Sequence, residues 1–139
     1  MIKNAMTEKT SQITVCTVSS DGVAASYFGE RAITLKGDEQ RQLSDQIDAV
    51  NFRLRTSSAE YESGWHVAGD PTLLLMLSGA IEIELRNGQK KQFCTGEMFI
   101  AEDFLKQDVE FDDRQHGHRA RVINNEKVSV LHLKLNKRL

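Results

Sequence analysis

The stretch Leu73-Leu74-Leu75-Met76-Leu77-Ser78-Gly79-Ala80-Ile81-Glu82-Ile83-Glu84-Leu85-Arg86-Asn87-Gly88 decides the fold class. Leu73 to Ser78 is a short apolar run closed by Gly79, the pattern of a buried strand. Ile81 to Arg86 then alternates strictly, with Ile81, Ile83 and Leu85 on one face, a period of two that no helix shares. Asn87-Gly88 follows as a hairpin signal, because a type I′ turn needs two residues that tolerate positive φ. Downstream, Gln89 to Phe93 returns antiparallel, Thr95-Gly96-Glu97 turns, and Met98 to Ala101 is the next strand. Ala120 to Ile123 and Val128 to Leu135 make the last strands, around the turn Asn124-Asn125-Glu126.

Upstream the same period continues. Asn51 to Thr56 alternates polar with apolar as a half-exposed strand, and Ser57 to Gly64 reads as a loop. Ile13 to Val18 is β-branched and ends in the turn cluster Ser19-Ser20-Asp21-Gly22, and Ala24 to Leu35 is a second extended stretch. Leu43, Ile47 and Val50 fall at i, i+4 and i+7, which allows a short helix or a packed loop before the next strand. Asp103 to Asp113 carries four Asp and one Glu against Lys106 and reads as a solvated excursion. Many short strands with tight turns and no long helix specify an antiparallel β-sandwich or barrel.

The chain has 139 residues, 40% hydrophobic and 27% charged, with a net charge of -2. That is enough for one domain with one core and too little for two. The expected organisation is a loose tail over 1–12, N-terminal strands and a connecting segment over 13–48, and a barrel over 49–139. No run of Lys and Arg exceeds a pair such as Lys90-Lys91, which argues against nucleic acid or an anionic membrane as partner. The longest aliphatic run, Leu73 to Leu77, is too short to span a bilayer, and the N-terminus lacks an apolar stretch of signal-peptide length. The expectation is therefore a cytoplasmic protein. Cys16 and Cys94 form no metal-ligand pair and are expected as small buried thiols in a reducing compartment.

A family resemblance emerges from Gly64 to Gly96. The frame His66, Val67, Ala68, three residues, Thr72, six residues, Gly79 resembles the first motif of the cupin superfamily, which runs His-x-His, three or four residues, Glu, six residues, Gly. Ala68 stands where that motif has its second histidine, and Thr72 where it has its Glu. The chain is more similar to a group of small single-domain cupins with a Trp-His-x-Ala motif. The matching pieces are Asp21-Gly22, Ser26-Tyr27-Phe28, Phe52-Arg53, Trp65-His66-Val67-Ala68, Leu77-Ser78-Gly79, Gly96-Glu97, Ala101-Glu102-Asp103 and Gly117-His118-Arg119-Ala120-Arg121-Val122, in order over nearly the whole chain. The resemblance implies an all-β fold, a small antiparallel double-stranded β-helix (jelly-roll, cupin) barrel with N-terminal strands. It also implies that His118 occupies the position of the second motif's histidine, and that Gly69-Asp70-Pro71-Thr72 and the acidic segment after Asp103 are departures from the group.

Strand parity then sorts the histidines. His116, His118, Ala120 and Val122 share one face, and the face with Ala120 and Val122 is the inner one. His66 shares its face with Ala68, whose small side chain leaves room beside the imidazole. The expected ligand-binding residues are His66, Thr72, His118, His116 and Trp65, with no metal and no cofactor. The competing reading is a divalent transition metal on His66, His118 and His116, serving a dioxygenase, isomerase or decarboxylase. His132, opposite Leu131, Leu133 and Leu135, reads as a surface residue. Arg53 with Arg55, and Arg119 with Arg121, pair on strand faces that could hold a carboxylate if the two faces met. Glu60, Glu62 and Asp70 are acid–base candidates only if they point inward. Three functions stay open: binding of a small organic ligand, an acid among the candidates; metal-dependent catalysis; and a non-catalytic oligomerising module. The expected partners are that small-molecule ligand and a second copy in a homodimer, paired through the Ile13 to Val18 strand as a free edge.

Overall fold

The computed structural model describes residues 7–139, and among them there is no helix. The strands are β1 (Lys9–Ser19), β2 (Tyr27–Gly37), β3 (Gln42–Leu43), β4 (Ala49–Ser57), β5 (Thr72–Ser78), β6 (Ala80–Leu85), β7 (Lys90–Phe93), β8 (Met98–Ala101), β9 (His118–Ile123) and β10 (Val128–Leu135). One sheet has seven strands in the order β3-β2-β1-β8-β5-β10-β4, and the other three in the order β7-β6-β9. Residues 61–66 extend the smaller sheet past β9 through the bridges Glu62↔Arg121 and His66↔His118. The members β8-β5-β10-β4 therefore face β7-β6-β9 and the 61–66 segment, and the chain crosses repeatedly between the two layers. That strand order is a jelly roll, the double-stranded β-helix expected from the sequence. β1, β2 and β3 widen its larger sheet.

The core between the layers is built from alternate residues of each strand, among them Val18, Met76, Ile83, Leu85, Phe93, Phe99 and Val130. A second cluster, Val15, Ile100 and Leu135 with Leu73, Met98 and Leu133, lies on the outer side of the seven-stranded sheet.

Several local expectations are corrected. β1 begins at Lys9 rather than Ile13, because its backbone stays paired with β2 through Lys9↔Gly37; residues 1–6 of the expected tail lie outside the described residues. β1 pairs with β2 along its whole length and with β8 over Cys16–Val18, so the expected edge over Ile13–Val18 is closed from Cys16 onward. The Leu43 to Val50 segment forms neither helix nor packed loop; Leu43 and Val50 are exposed on short or edge strands. At Asn87-Gly88 only Gly88 has positive φ, and Gly88 N–H donates to the Leu85 carbonyl at 3.0 Å, so the loop is a type I turn with a glycine bulge, one residue longer than a type I′ turn. The two consecutive left-handed residues are instead Asn124 and Asn125, at φ 64° and 51°. Cys94 is exposed beyond the end of β7, and Cys16 is half-buried with its thiol pushed up by burial, against the lowering pull of Lys91.

Candidate functional site

Between the two layers lies a cavity of about 290 Å³. Its floor is apolar, formed by Leu74, Ile81, Ile83, Phe99, Val122 and Val130, its more exposed rim carries Arg53, Arg55, Tyr61, His66 and His132, and His118 lines it as a buried residue. Thr72 also lines it, with its hydroxyl donating to the Asp70 carbonyl at 3.1 Å. Of the residues expected at the site, His66, Thr72 and His118 are thus brought together.

Backbone geometry holds the two histidines side by side. His66 N–H donates to the His118 carbonyl and His118 N–H to the His66 carbonyl, both at 2.9 Å, which places the ring centroids 4.5 Å apart. Gly117 makes this approach possible. It sits at φ +84°, and a Cβ there would lie 2.5 Å from the His66 carbonyl oxygen.

Each ring is anchored through Nδ1. His118 Nδ1 lies 2.7 Å from Asp103 Oδ2, and His66 Nδ1 2.9 Å from the Gly64 carbonyl oxygen. Both partners only accept, so each Nδ1 carries the proton and each Nε2 keeps a lone pair free of protein partners. Asp103 is fully buried and also accepts from Ser26 Oγ at 2.6 Å and Ala68 N–H at 2.9 Å. Burial pushes its pKa up, yet the bonds from His118, Ser26 and Ala68 outweigh that and hold the carboxyl below its ordinary value. It remains an anion inside the barrel. For His66 the order is reversed: burial dominates and lowers its pKa, reinforced by His118 and Arg55 and opposed by the Gly64 bond and Asp103.

The far wall of the cavity was not legible as such. Arg53 and Arg55 project inward from β4, and His132 faces Arg53 across the β4–β10 pairing. The reason is that the apolar residues of these strands, Phe52, Leu54, Leu131 and Leu133, point away from the barrel, so the expected parity is inverted. His132 is therefore a pocket residue, not a surface one. Burial first, then Arg55 and Arg53, lower its pKa. Arg55 stacks over the Tyr61 ring at 4.8 Å. Where the cavity opens, the groove continues past Asn51, Asp70 and Lys134, with Lys134 Nζ 2.7 Å from Asp70 Oδ2.

Two expected ligand-binding residues lie elsewhere. His116 is buried with both ring nitrogens engaged: Nδ1 accepts from Asp112 N–H at 2.8 Å and Nε2 donates to the Val23 carbonyl at 2.7 Å. It pins the 104–117 loop, because the positive φ of Gly117 breaks the strand parity that would have placed it beside His118. Trp65 points out of the cavity and is held between Arg86 and Arg119, whose guanidinium carbons lie 3.9 and 4.8 Å from its ring. Arg119 and Arg121 bond Glu84 and Glu82 on the outer surface of the smaller sheet, so they do not join Arg53 and Arg55 as a carboxylate clamp, although Arg121 borders the cavity edge. Glu60, Glu62 and Asp70 do not line it. Asp103 and Ser26, which sequence reading did not place in the pocket, buttress it from behind.

The donor set does not fit a transition metal of the cupin kind. Among the described residues no cluster of three or more His, Cys, Asp or Glu side chains is placed to hold one. His66 and His118 offer two nitrogens. Ala68 and Thr72 offer none at the other expected positions, His116 has both nitrogens engaged, and Asp103 already holds three donors.

Comparison with known proteins gives similarity in shape alone. No family model matches the chain, and no curated protein does. Among solved structures it is similar to protein NMB1881 from Neisseria meningitidis, at 20% identity and TM-score 0.44, covering 66% of this chain and 84% of that one. It is also similar to the conserved SPY1581 protein of unknown function from Streptococcus pyogenes, at 14% identity and TM-score 0.44, covering 70% and 72%. The Schizosaccharomyces pombe Cnp3 cupin domain matches at 14% identity and TM-score 0.43, covering 89% and 86%. The fold assignment above rests on this chain's own strand order.

Proposed function

We propose that this cupin-like jelly roll binds a small organic acid, with the carboxylate at Arg53 and Arg55 and the apolar body on the floor beneath His66 and His118. The observation that carries the reading is the division of one cavity into a basic rim and an apolar floor. Of the carboxylates close to it, Asp103 is turned toward its own three donors behind His118, and Asp70, where the groove opens, is paired with Lys134. Two guanidinium groups with no acidic partner in the cavity suit an anion, and each charge-assisted hydrogen bond would contribute about 1.5–3 kcal/mol. At about 290 Å³ the space suits a ligand of one ring or a short branched chain. Isothermal titration with phenylacetate and with its uncharged isostere phenylacetamide tests the reading. Binding of the acid alone supports it; equal affinity for both would overturn it.

We propose further that the chain acts as a homodimer, seated on the outer face of β4, β10 and β5 in place of the β1 edge. Rows of apolar side chains cross these strands in register, Leu54 to Leu131 to Leu75 and Phe52 to Leu133 to Leu73. Phe52 and Leu54 are 66% and 67% exposed, and Val50 and Leu77 lie on the same face. No charged side chain interrupts these rows, so a second copy related by a two-fold axis meets it with no unpaired charge.

A further inference from the structure

Beside the proposed anion site, the cavity is lined by a histidine backed by a buried carboxylate. Asp103, buried and ionised, fixes the Nδ1–H tautomer of His118 and would stabilise the imidazolium formed when Nε2 takes a proton. Ser26 and the Ala68 N–H hold the carboxylate so that it cannot turn away. A histidine needed only for packing would not require a buried anion behind it, held by two further donors. His118 lines the same cavity as Arg53, Arg55 and the apolar floor residues. A ligand anchored by its carboxylate at those arginines would share the cavity with the free Nε2 of His118.

We propose that the protein catalyses proton transfer on a 2-oxo acid, with His118 as general base at the carbon next to the ketone. This rests on the acid-binding reading above. An unactivated carbon acid is far too weak for an imidazole, whereas a C–H beside a ketone is within its range. In the step, His118 Nε2 takes a proton from C3, the C–H pair becomes the C2–C3 double bond, and the carbonyl pair moves onto the C2 oxygen. The resulting enolate is stabilised by the positive field of Arg53 and Arg55. The proton then returns from Nε2 to the oxygen or to C3, giving a keto–enol isomerisation or a C3 exchange. No oxidant or second substrate enters.

Phenylpyruvate and 2-oxobutanoate in D2O are the probes, with C3 deuteration followed by proton NMR and binding followed separately by titration calorimetry. Exchange faster than the buffer rate by about 100-fold or more, lost in His118→Ala and partly restored by added imidazole, is the expected result. His118→Asn serves as the second variant if His118→Ala does not fold. Asp103→Asn should slow exchange while leaving the dissociation constant within a few-fold, the split that marks a positioning residue. Binding without exchange, or exchange unchanged in the His118 variants, would overturn the base assignment and leave the binding reading standing. No binding of either acid would overturn both.

Discussion

His118 Nδ1 and Asp103 Oδ2 lie 2.7 Å apart, and that contact ties the loop after β8 to the first residue of β9 at the centre of the barrel. It joins a fully buried anion to a ring that faces the cavity, so the fold and the site depend on the same bond.

Replacing Asp103 with Asn should therefore cost about 3 kcal/mol at pH 7, since it leaves donors from His118, Ser26 and Ala68 facing an amide. The carboxyl is held below its ordinary value, so its stabilising contribution is present above the unfolded value near pH 4 and is lost as pH falls through the folded one. Urea titrations at pH 7 and pH 3 check this. The gap between wild type and Asp103→Asn should be wide at pH 7 and smaller at pH 3.

Gly117→Ala should destabilise by about 2 kcal/mol or more, combining the left-handed backbone cost with a Cβ driven against the His66 carbonyl. The neighbouring substitution Gly88→Ala, also at positive φ but with open space around its Cβ, should cost less. Denaturant midpoints of the two variants give the comparison.

His66 is held below its ordinary value of 6.5, chiefly by burial, so the unfolded chain takes up a proton before the folded one does. Stability should then rise with pH on the acid side of 6.5, and His66→Gln should flatten part of that slope. A bound anion offsets the pull of Arg55 on His66 and of Arg55 and Arg53 on His132. Acid binding is accordingly expected to take up protons and to tighten between pH 7 and pH 6. Calorimetry in two buffers of different ionisation enthalpy measures that uptake.

Phe52→Glu together with Leu54→Glu should convert a dimer to a monomer in sedimentation velocity with little change in melting temperature, because both side chains are two-thirds exposed in the single chain. A wild type that sediments as a monomer at high micromolar concentration would count against the proposed pairing.

The β6 strand was legible because the alternation of Ile81, Ile83 and Leu85 is a local signal, and all three join the core cluster. The inward turn of Arg53 and His132 was not. Phe52, Leu54, Leu131 and Leu133 look like core residues in sequence, and only the register between β4 and β10 shows them on the outer face. Asp103 was hidden for a related reason: it begins an acidic run whose other members are solvated, and its partners Ser26 and Ala68 lie 77 and 35 residues away. A single glycine, Gly117, misplaced His116, because alternation cannot be carried through a residue at positive φ. Family resemblance and strand parity together paired His66 with His118, and the structure brings their rings to 4.5 Å in one cavity.

The most direct measurement of the central claim is calorimetric titration of phenylacetate into the wild type and into the double variant Arg53→Gln with Arg55→Gln. Both side chains are exposed at the cavity rim, so folding should survive the change. The wild type should bind with an affinity that weakens with salt, and the variant should lose about 100-fold in affinity along with most of that salt dependence. Unchanged affinity in the variant would contradict the account.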